Sequence, residues 1–197
     1  ADRTNHAARV VDLAARALVT LAGRLGGKGF ADGSAVQIGA ASAAGGSGAR
    51  LHSPRAVAVD GRADELYIAD ASNHAIRKVN LGGTVVSTVV GHTQLFPEIA
   101  LSLDFPCGVA LDTSGTTRRL YIADAGAHAV YAADLDRATI APVAGTAAPS
   151  GPGVLAPSAS ASALSGPSGL AIDETGEHLY IADAGNHAVR LLTVSSG

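Results

Sequence analysis

The stretch LYIAD at residues 66–70 returns unchanged at 120–124 and again at 179–183, and each copy is followed, after three residues, by a histidine-alanine pair starting at His74, His128 and His187. A fourth, truncated copy opens the chain, because Ala1, Asp2, Asn5, His6 and Ala7 match Ala69, Asp70, Asn73, His74 and Ala75. The chain is therefore a repeat array. A residue that recurs in every copy belongs to the common scaffold before it belongs to any single active site. The sequence thus speaks more clearly about architecture than about one activity.

Outward from LYIAD, each full unit reads as four short strands. The first follows a proline and is a brief aliphatic run: AVAVD at 56–60, GVALD at 108–112 and GLAID at 169–173. LYIAD is the second. The third carries the histidine pair, as HAIRKVN from His74, HAVYAAD from His128 and HAVRLLTV from His187, with the alternation of a half-covered strand. The fourth is TVVSTVVG at 84–91, TIAPVAG at 139–145 and, in the opening copy, LVTLAG at 18–23. Taken alone, VVDLAARALVTLAG at 10–23 has the spacing of an amphipathic helix. The matching segments VNLGGTVVSTVVG and ADLDRATIAPVAG contain glycines or a proline that make a helix costly, so strand, turn, strand is expected. Four antiparallel strands per unit, joined by connections too short for crossover helices, predict an all-β fold of the β-propeller type. The expected segments are a partial blade at 1–23 and blades at 54–91, 106–145 and 167–194. Long loops at 24–53, 92–105 and 146–166 separate them.

The succession Pro-x-Gly-Val-Ala-x-Asp, then Leu-Tyr-Ile-Ala-Asp-x-x-Asn-His-Ala-Val-Arg, then a Thr-Leu-Ala-Gly-like strand resembles the NHL repeat of NHL-type β-propellers. The resemblance covers essentially the whole chain, as three strong copies and one partial copy. TLAGRLGGKGFADGSA, with ARLHSP after an insert, is similar to the inter-blade connection of bacterial and plant NHL repeats. NHL propellers usually close as six blades, whereas about three and a quarter are legible here. The resemblance therefore implies a segment of a larger ring, covered by the rest of a longer chain or by neighbouring subunits of an assembly. It also implies a non-catalytic scaffold whose loop-rich face mediates protein-protein interaction. Propellers that host lactonases, strictosidine-synthase-like proteins and amidating lyases project metal ligands or acid and base groups into the central channel. The first strands here offer no histidine for an ion, which disfavours an enzyme. The competing readings are a lyase- or lactonase-type propeller whose catalytic residues lie outside this segment, and an extracellular ligand-sensing propeller.

Asp2, Asp70, Asp124 and Asp183 are expected to cap the turn between the second and third strands, because short carboxylates bond nearby backbone amides. Asn5, Asn73 and Asn186 occupy the same turns. His6, His74, His128 and His187 belong to different blades, so local packing and hydrogen bonding are expected rather than convergence on a metal, which needs three or four ligands about 2 Å from one ion. Tyr67, Tyr121 and Tyr180 are expected between adjacent blades, each burying on the order of 150 to 250 Å². Asp60, Asp112 and Asp173 read as turn initiators. The glycine-rich GGKGFADG at 26–33 lacks the Ser or Thr that a phosphate-cradling loop carries after its lysine, since Gly29 follows Lys28. No G-x-S-x-G, H-E-x-x-H, C-x-x-C or acidic calcium loop is present, and no cofactor is expected. Three positions break the repeat: Cys107 stands for Arg55 and Ser168, Ala127 for Asn73 and Asn186, and Tyr131 for Arg77 and Arg190.

Composition sets the outer limits. Hydrophobic residues make up 47% but aromatics only 4%, with no Trp or Met, so small aliphatic side chains must fill the core. Net charge is -3, and after Arg119 the only cationic residues are Arg137 and Arg190, which argues against a nucleic-acid or anionic-lipid surface. No apolar run approaches the roughly 20 residues that span a bilayer, so direct membrane insertion is not expected. The single cysteine excludes an internal disulfide. The Ser/Pro/Ala tract at 147–168 has the composition of an O-glycosylated segment, which leans towards an extracellular or secretory setting.

Overall fold

The computed structural model describes residues 1–34, 48–82, 85–91, 101–145 and 163–194. The low-complexity tracts at 35–47, 92–100 and 146–162 lie outside the described residues, and with them most of the expected partner-gripping loops. The chain divides into two compact units, Ala1–Leu95 and Phe96–Gly197.

The first unit holds two antiparallel sheets. One is a hairpin of β1 (Ala7–Asp12) and β2 (Ala17–Gly23), so the segment with helical spacing is strand, turn, strand. The turn between them is built by Asp12, whose carboxylate accepts the Ala14 and Ala15 amides at 2.9 and 2.8 Å. The other sheet contains β3 (Gly33–Ser34), β4 (Pro54–Asp60), β5 (Glu65–Asp70), β6 (Ala75–Asn80) and β7 (Val85–Val90), in the order β3-β7-β6-β5-β4. β3 adds a fifth strand to a blade expected to have four. It comes from the connection read as a loop, and it covers the edge of β7 that would otherwise present unpaired amides and carbonyls.

Between these sheets the core is aliphatic. Ala8, Leu21 and Ala22 of the hairpin meet Leu66, Ile68, Val79 and Val86 of the larger sheet, and Ala49 and Leu51 of the connection join them. Each large side chain fully buried in this way contributes about 1.5 to 3 kcal/mol.

The second unit repeats the plan with β8 (Pro106–Asp112), β9 (Arg119–Asp124), β10 (Ala129–Asp134) and β11 (Thr139–Gly145) in one sheet. β12 (Pro167–Ile172), β13 (His178–Asp183) and β14 (Ala188–Thr193) form the other. Ala110, Tyr121, Val130 and Ala144 of the first sheet pack on Leu179, Ile181 and Leu192 of the second. The repeat extends to its irregularities. A register shift follows the leading proline in β4, β8 and β12, and another precedes Arg9, Arg77 and Tyr131 in β1, β6 and β10. Such bulges re-aim the side chains beside them.

The glycine that closes the fourth strand is a steric requirement. Gly23 and Gly145 have φ of 91° and 98°, and a Cβ at either would overlap the carbonyl oxygen of His6 or His128. The tyrosines do not behave alike. Tyr67 and Tyr121 are each 1% exposed, whereas Tyr180 is 45% exposed. Within this chain Tyr180 thus lacks the cover that Tyr121 has. Tyr121 faces β13 of the following sheet, and among the described residues no strand follows β14.

Candidate functional site

The polar residues that recur in the sequence gather at one end of each sheet, where the second strand turns into the third. At the β5–β6 turn, Asp70 ends its strand fully buried, and Ala71–Asn73 make one turn of 3-10 helix closed by His74 in the left-handed conformation, φ 52°. Asp70 makes no side-chain bond to the amides of that turn. This departs from the expected cap. The carboxylate is drawn the other way: Oδ1 accepts the His52 amide at 2.7 Å, and Oδ2 accepts Asn73 Nδ2 at 2.8 Å and Arg77 Nη1 at 3.0 Å. Asp183 does the same in the last sheet. It accepts the Ser165 amide at 2.7 Å, Asn186 Nδ2 at 2.8 Å and Arg190 Nε at 3.1 Å, again without capping its own turn. In the opening copy Asp2 accepts Asn5 Nδ2 at 3.0 Å and Arg9 Nη1 at 3.2 Å. Aspartate, asparagine and arginine thus form a cluster that fastens the lead-in of the first strand to the turn after the second.

The arginine is the member that sequence reading undervalued. Arg77 is fully buried and bonds four groups through two nitrogens. Nη1 reaches the Arg50 carbonyl at 3.1 Å as well as Asp70, and Nη2 reaches the Ala31 carbonyl and Asp32 Oδ1, both at 2.7 Å. Thr88 donates to the same Asp32 oxygen at 2.8 Å, and the Phe30 ring lies 4.9 Å from the guanidinium carbon. Both arms of the connection, 29–34 and 48–53, are therefore clamped to one sheet by one side chain. Asn73 adds a bond to the Gly29 carbonyl at 2.7 Å. The planar fork of arginine suits this many acceptors in a way a point-charge lysine does not. The available signal was the arginine closing the motif at positions 77 and 190, together with its absence at 131.

At the β9–β10 turn the cluster is incomplete. Ala127 and Tyr131 replace the asparagine and arginine, and Asp124 accepts the Asp104 amide at 2.6 Å and, as a cap of its own turn, the Ala127 amide at 3.3 Å. Burial pushes the Asp124 carboxyl up to about 6; the backbone bonds oppose this and the charge of Asp104 reinforces it. Burial also raises Asp70, against the His52 amide, Asn73 and Arg77, but a guanidinium 3.0 Å away favours its ionised form at neutral pH. Asp183 is lowered: burial resists ionisation, and bonds from Asn186, Ser165 and Arg190 outweigh it. Asp2 is lowered chiefly by its bond from Asn5.

At the opposite end of the sheets, Asp60 and Asp112 accept amides two or three residues on, as turn initiators. Asp173 is braced further. Burial raises it, but His178 Nδ1 at 2.7 Å, Thr175 and the His178 and Glu177 amides hold its carboxyl at about 2. Tyr67 donates to Glu65 at 2.6 Å, and Lys78 pairs with the same carboxylate at 2.7 Å. Cys107 is buried and its thiol donates to the Pro167 carbonyl at 3.1 Å. Among the described residues no group of three or more His, Cys, Asp or Glu side chains is arranged to hold a metal ion. Nor is any helix long and apolar enough to cross a membrane.

The NHL repeat family model matches residues 164–190, which carry the last lead-in, β12, β13 and the turn into β14. NHL repeat-containing protein 2 of Gallus gallus is 29% identical over 142 residues, and that of Homo sapiens 30% over 142 residues. Each alignment covers 66% of this chain and 19% of the relative, so the chain spans about a fifth of the length of those proteins. Among solved structures, an auxiliary nutrient binding protein from Bacteroides thetaiotaomicron superposes with a TM-score of 0.59 at 15% identity, over 96% of this chain and 43% of that one. A chain of a nidogen/laminin complex superposes with a TM-score of 0.50 at 21% identity, over 74% of this chain and 47% of that one. At these identities the superpositions speak for the fold alone. With its repeated Asp-Asn-His turns, its antiparallel blades and these matches, the chain carries an NHL repeat at 164–190 and has the fold of an NHL-type β-propeller.

Proposed function

We propose that this chain is a non-catalytic scaffold that engages other protein through its loop-rich face. The observation that carries this reading is the use made of its recurrent polar groups. The aspartates, asparagines and arginines that a catalytic reading would recruit are committed to one another and to lead-in backbone at equivalent turns, as in Asp70–Asn73–Arg77 and Asp183–Asn186–Arg190. What varies between repeats is the connection at the same end. In the first unit that connection presents Leu25 at 53% and Phe30 at 37% exposure beside the exposed Lys28, a mixed apolar and cationic surface suited to protein contact. One fold neighbour is a chain of a nidogen/laminin complex, which is consistent with a propeller that binds protein.

Photo-crosslinking residues placed at Leu25 and Lys28, with controls at Arg62 in the β4–β5 turn and Arg137 in the β10–β11 turn, test the reading in extracts of the native source. A single protein crosslinked from the first pair and not from the controls supports it. Equal crosslinking from both ends, or turnover of a small molecule that Asp70→Asn abolishes without lowering the melting temperature, overturns it.

A further inference from the structure

The recurrent histidines hold an unusual backbone in place. His6, His74, His128 and His187 have φ of 55°, 52°, 52° and 52°, all left-handed. Facing this series is a second one, the residue before each strand-leading proline. Ser53, Phe105 and Gly166 have φ of 51°, 68° and 53°, positive values that cost a residue with a Cβ and that glycine adopts freely. In each unit the two series are joined once across consecutive sheets. The Ser53 amide donates to His6 Nδ1 at 3.0 Å, and the Gly166 amide donates to His128 Nδ1 at 2.9 Å.

We propose that His6 and His128 are acid-labile latches between consecutive blades: each unprotonated Nδ1 holds the amide of the positive-φ residue that leads the next blade, and protonation of the ring releases it. The chemistry is forced by the donor. A backbone N–H can only donate, so Nδ1 must accept, which fixes the neutral ring with its proton on Nε2. Once Nδ1 binds a proton it faces the amide as a second donor, and the bond is lost.

The charged and titratable neighbours do not supply a substitute. Around His6 they are Asp2 and Arg3 on its own turn, Arg50 and His52 on the lead-in, Arg55 in β4, and Asp70 at the end of β5, already bonded to the His52 amide. The His52 ring meets that of His6 edge-on at 5.3 Å, so a second positive charge there is disfavoured. Around His128 the lead-in 163–166 and β12 carry no charged residue, leaving Asp124 before its turn, Asp104 on the lead-in of β8, which packs on that turn, and Asp183 at the end of β13. His6 is half-buried and His128 exposed, so solvent protons reach both rings.

Nitrogen-15 NMR of the full chain between pH 8 and pH 5 tests the proposal. Both rings are expected as the Nε2–H tautomer at pH 8. The Ser53 and Gly166 amides should shift with the midpoint of their own histidine and lose about tenfold in corrected exchange protection, the size of one hydrogen bond. In the double variant His6→Asn and His128→Asn these amide transitions should disappear, since asparagine Oδ1 accepts at the same reach, tolerates left-handed backbone and does not titrate. A proton on Nδ1 at pH 8, or Ser53 and Gly166 amides indifferent to ring titration, overturns the latch. If the variant does not fold, the tautomer and amide titrations of the unmodified chain decide the matter alone.

Discussion

A single guanidinium can hold more of a blade together than any of the residues that make the motif conspicuous. Arg77 is sealed from solvent with Asp70, and it also carries the backbone of both connection arms. Removing one member of a buried pair leaves the other charged and uncompensated, which costs about 3 to 5 kcal/mol. Arg77→Ala is therefore expected to lower stability by that amount. Arg77→Lys should recover only part of the loss, because one ammonium cannot reach the Asp70, Asp32, Ala31 and Arg50 acceptors together. Urea denaturation midpoints check both, and an Arg77→Ala chain as stable as the parent would show the clamp to be incidental. Asp124 presents the reverse case, a buried carboxylate without its arginine. Its carboxyl sits at about 6 in the fold against 3.8 ordinarily. Between those values the folded state binds more protons than the unfolded chain, so its contribution to stability falls as pH rises from about 4 to about 6 and is constant above. At 1.36 kcal/mol per unit the penalty at neutral pH is at most about 3 kcal/mol, less whatever solvent at the turn relieves.

Identical strands have different consequences according to what lies on them. LYIAD in β9 and LYIAD in β13 present their tyrosines to the same side, but Tyr121 packs against Leu179 and Ile181 while Tyr180 is half exposed. Tyr121→Ala is expected to cost about 3 to 5 kcal/mol, as for other large aromatic truncations in a core. Tyr180→Ala should stay within about 0.5 kcal/mol, as for surface changes. Denaturant titration of the two variants distinguishes them, and equal losses would mean that the face of β13 is covered in solution. β3 shows why the sequence could not foresee every element. Gly33 and Ser34 carry no strand-forming side chain, and they pair with Val86 and Val85 beside Asp32, which Arg77 and Thr88 anchor, while Ser34 also bonds the Gly48 and Ala49 amides. A two-residue strand made by tertiary contacts leaves no periodicity to read.

For the molecule as a whole, the repeat was the legible part. Alignment of 10–23 with the later fourth strands overrode its helical spacing, and the strand pattern, the leading prolines and the closing glycines all have counterparts in the sheets. The candidate site was legible in membership but not in connection. The sequence marks Asp, Asn and His as turn residues, yet it does not show that Arg9 and Arg77, each opposite a bulge in β2 or β7, reach Asp2 and Asp70. Nor does it show that His6 and His128 reach across to the following lead-in. Those partners are distant in sequence and joined through main-chain atoms, which carry no residue code. The central claim is that the recurrent aspartates hold the scaffold through their cationic partners and do not act as a reaction centre. Thermal melts of Asp70→Asn, Asp183→Asn and Asp124→Asn at pH 7.5 test it most directly. The expected order of destabilisation is Asp70→Asn first, because it strands a buried arginine. Asp183→Asn should follow with a smaller loss, because Arg190 is 39% exposed. Asp124→Asn should cause no loss or a gain, because it removes an unpaired buried charge while its amide oxygen still accepts from Asp104. Equal losses in all three, or a dominant loss in Asp124→Asn, would contradict the claim.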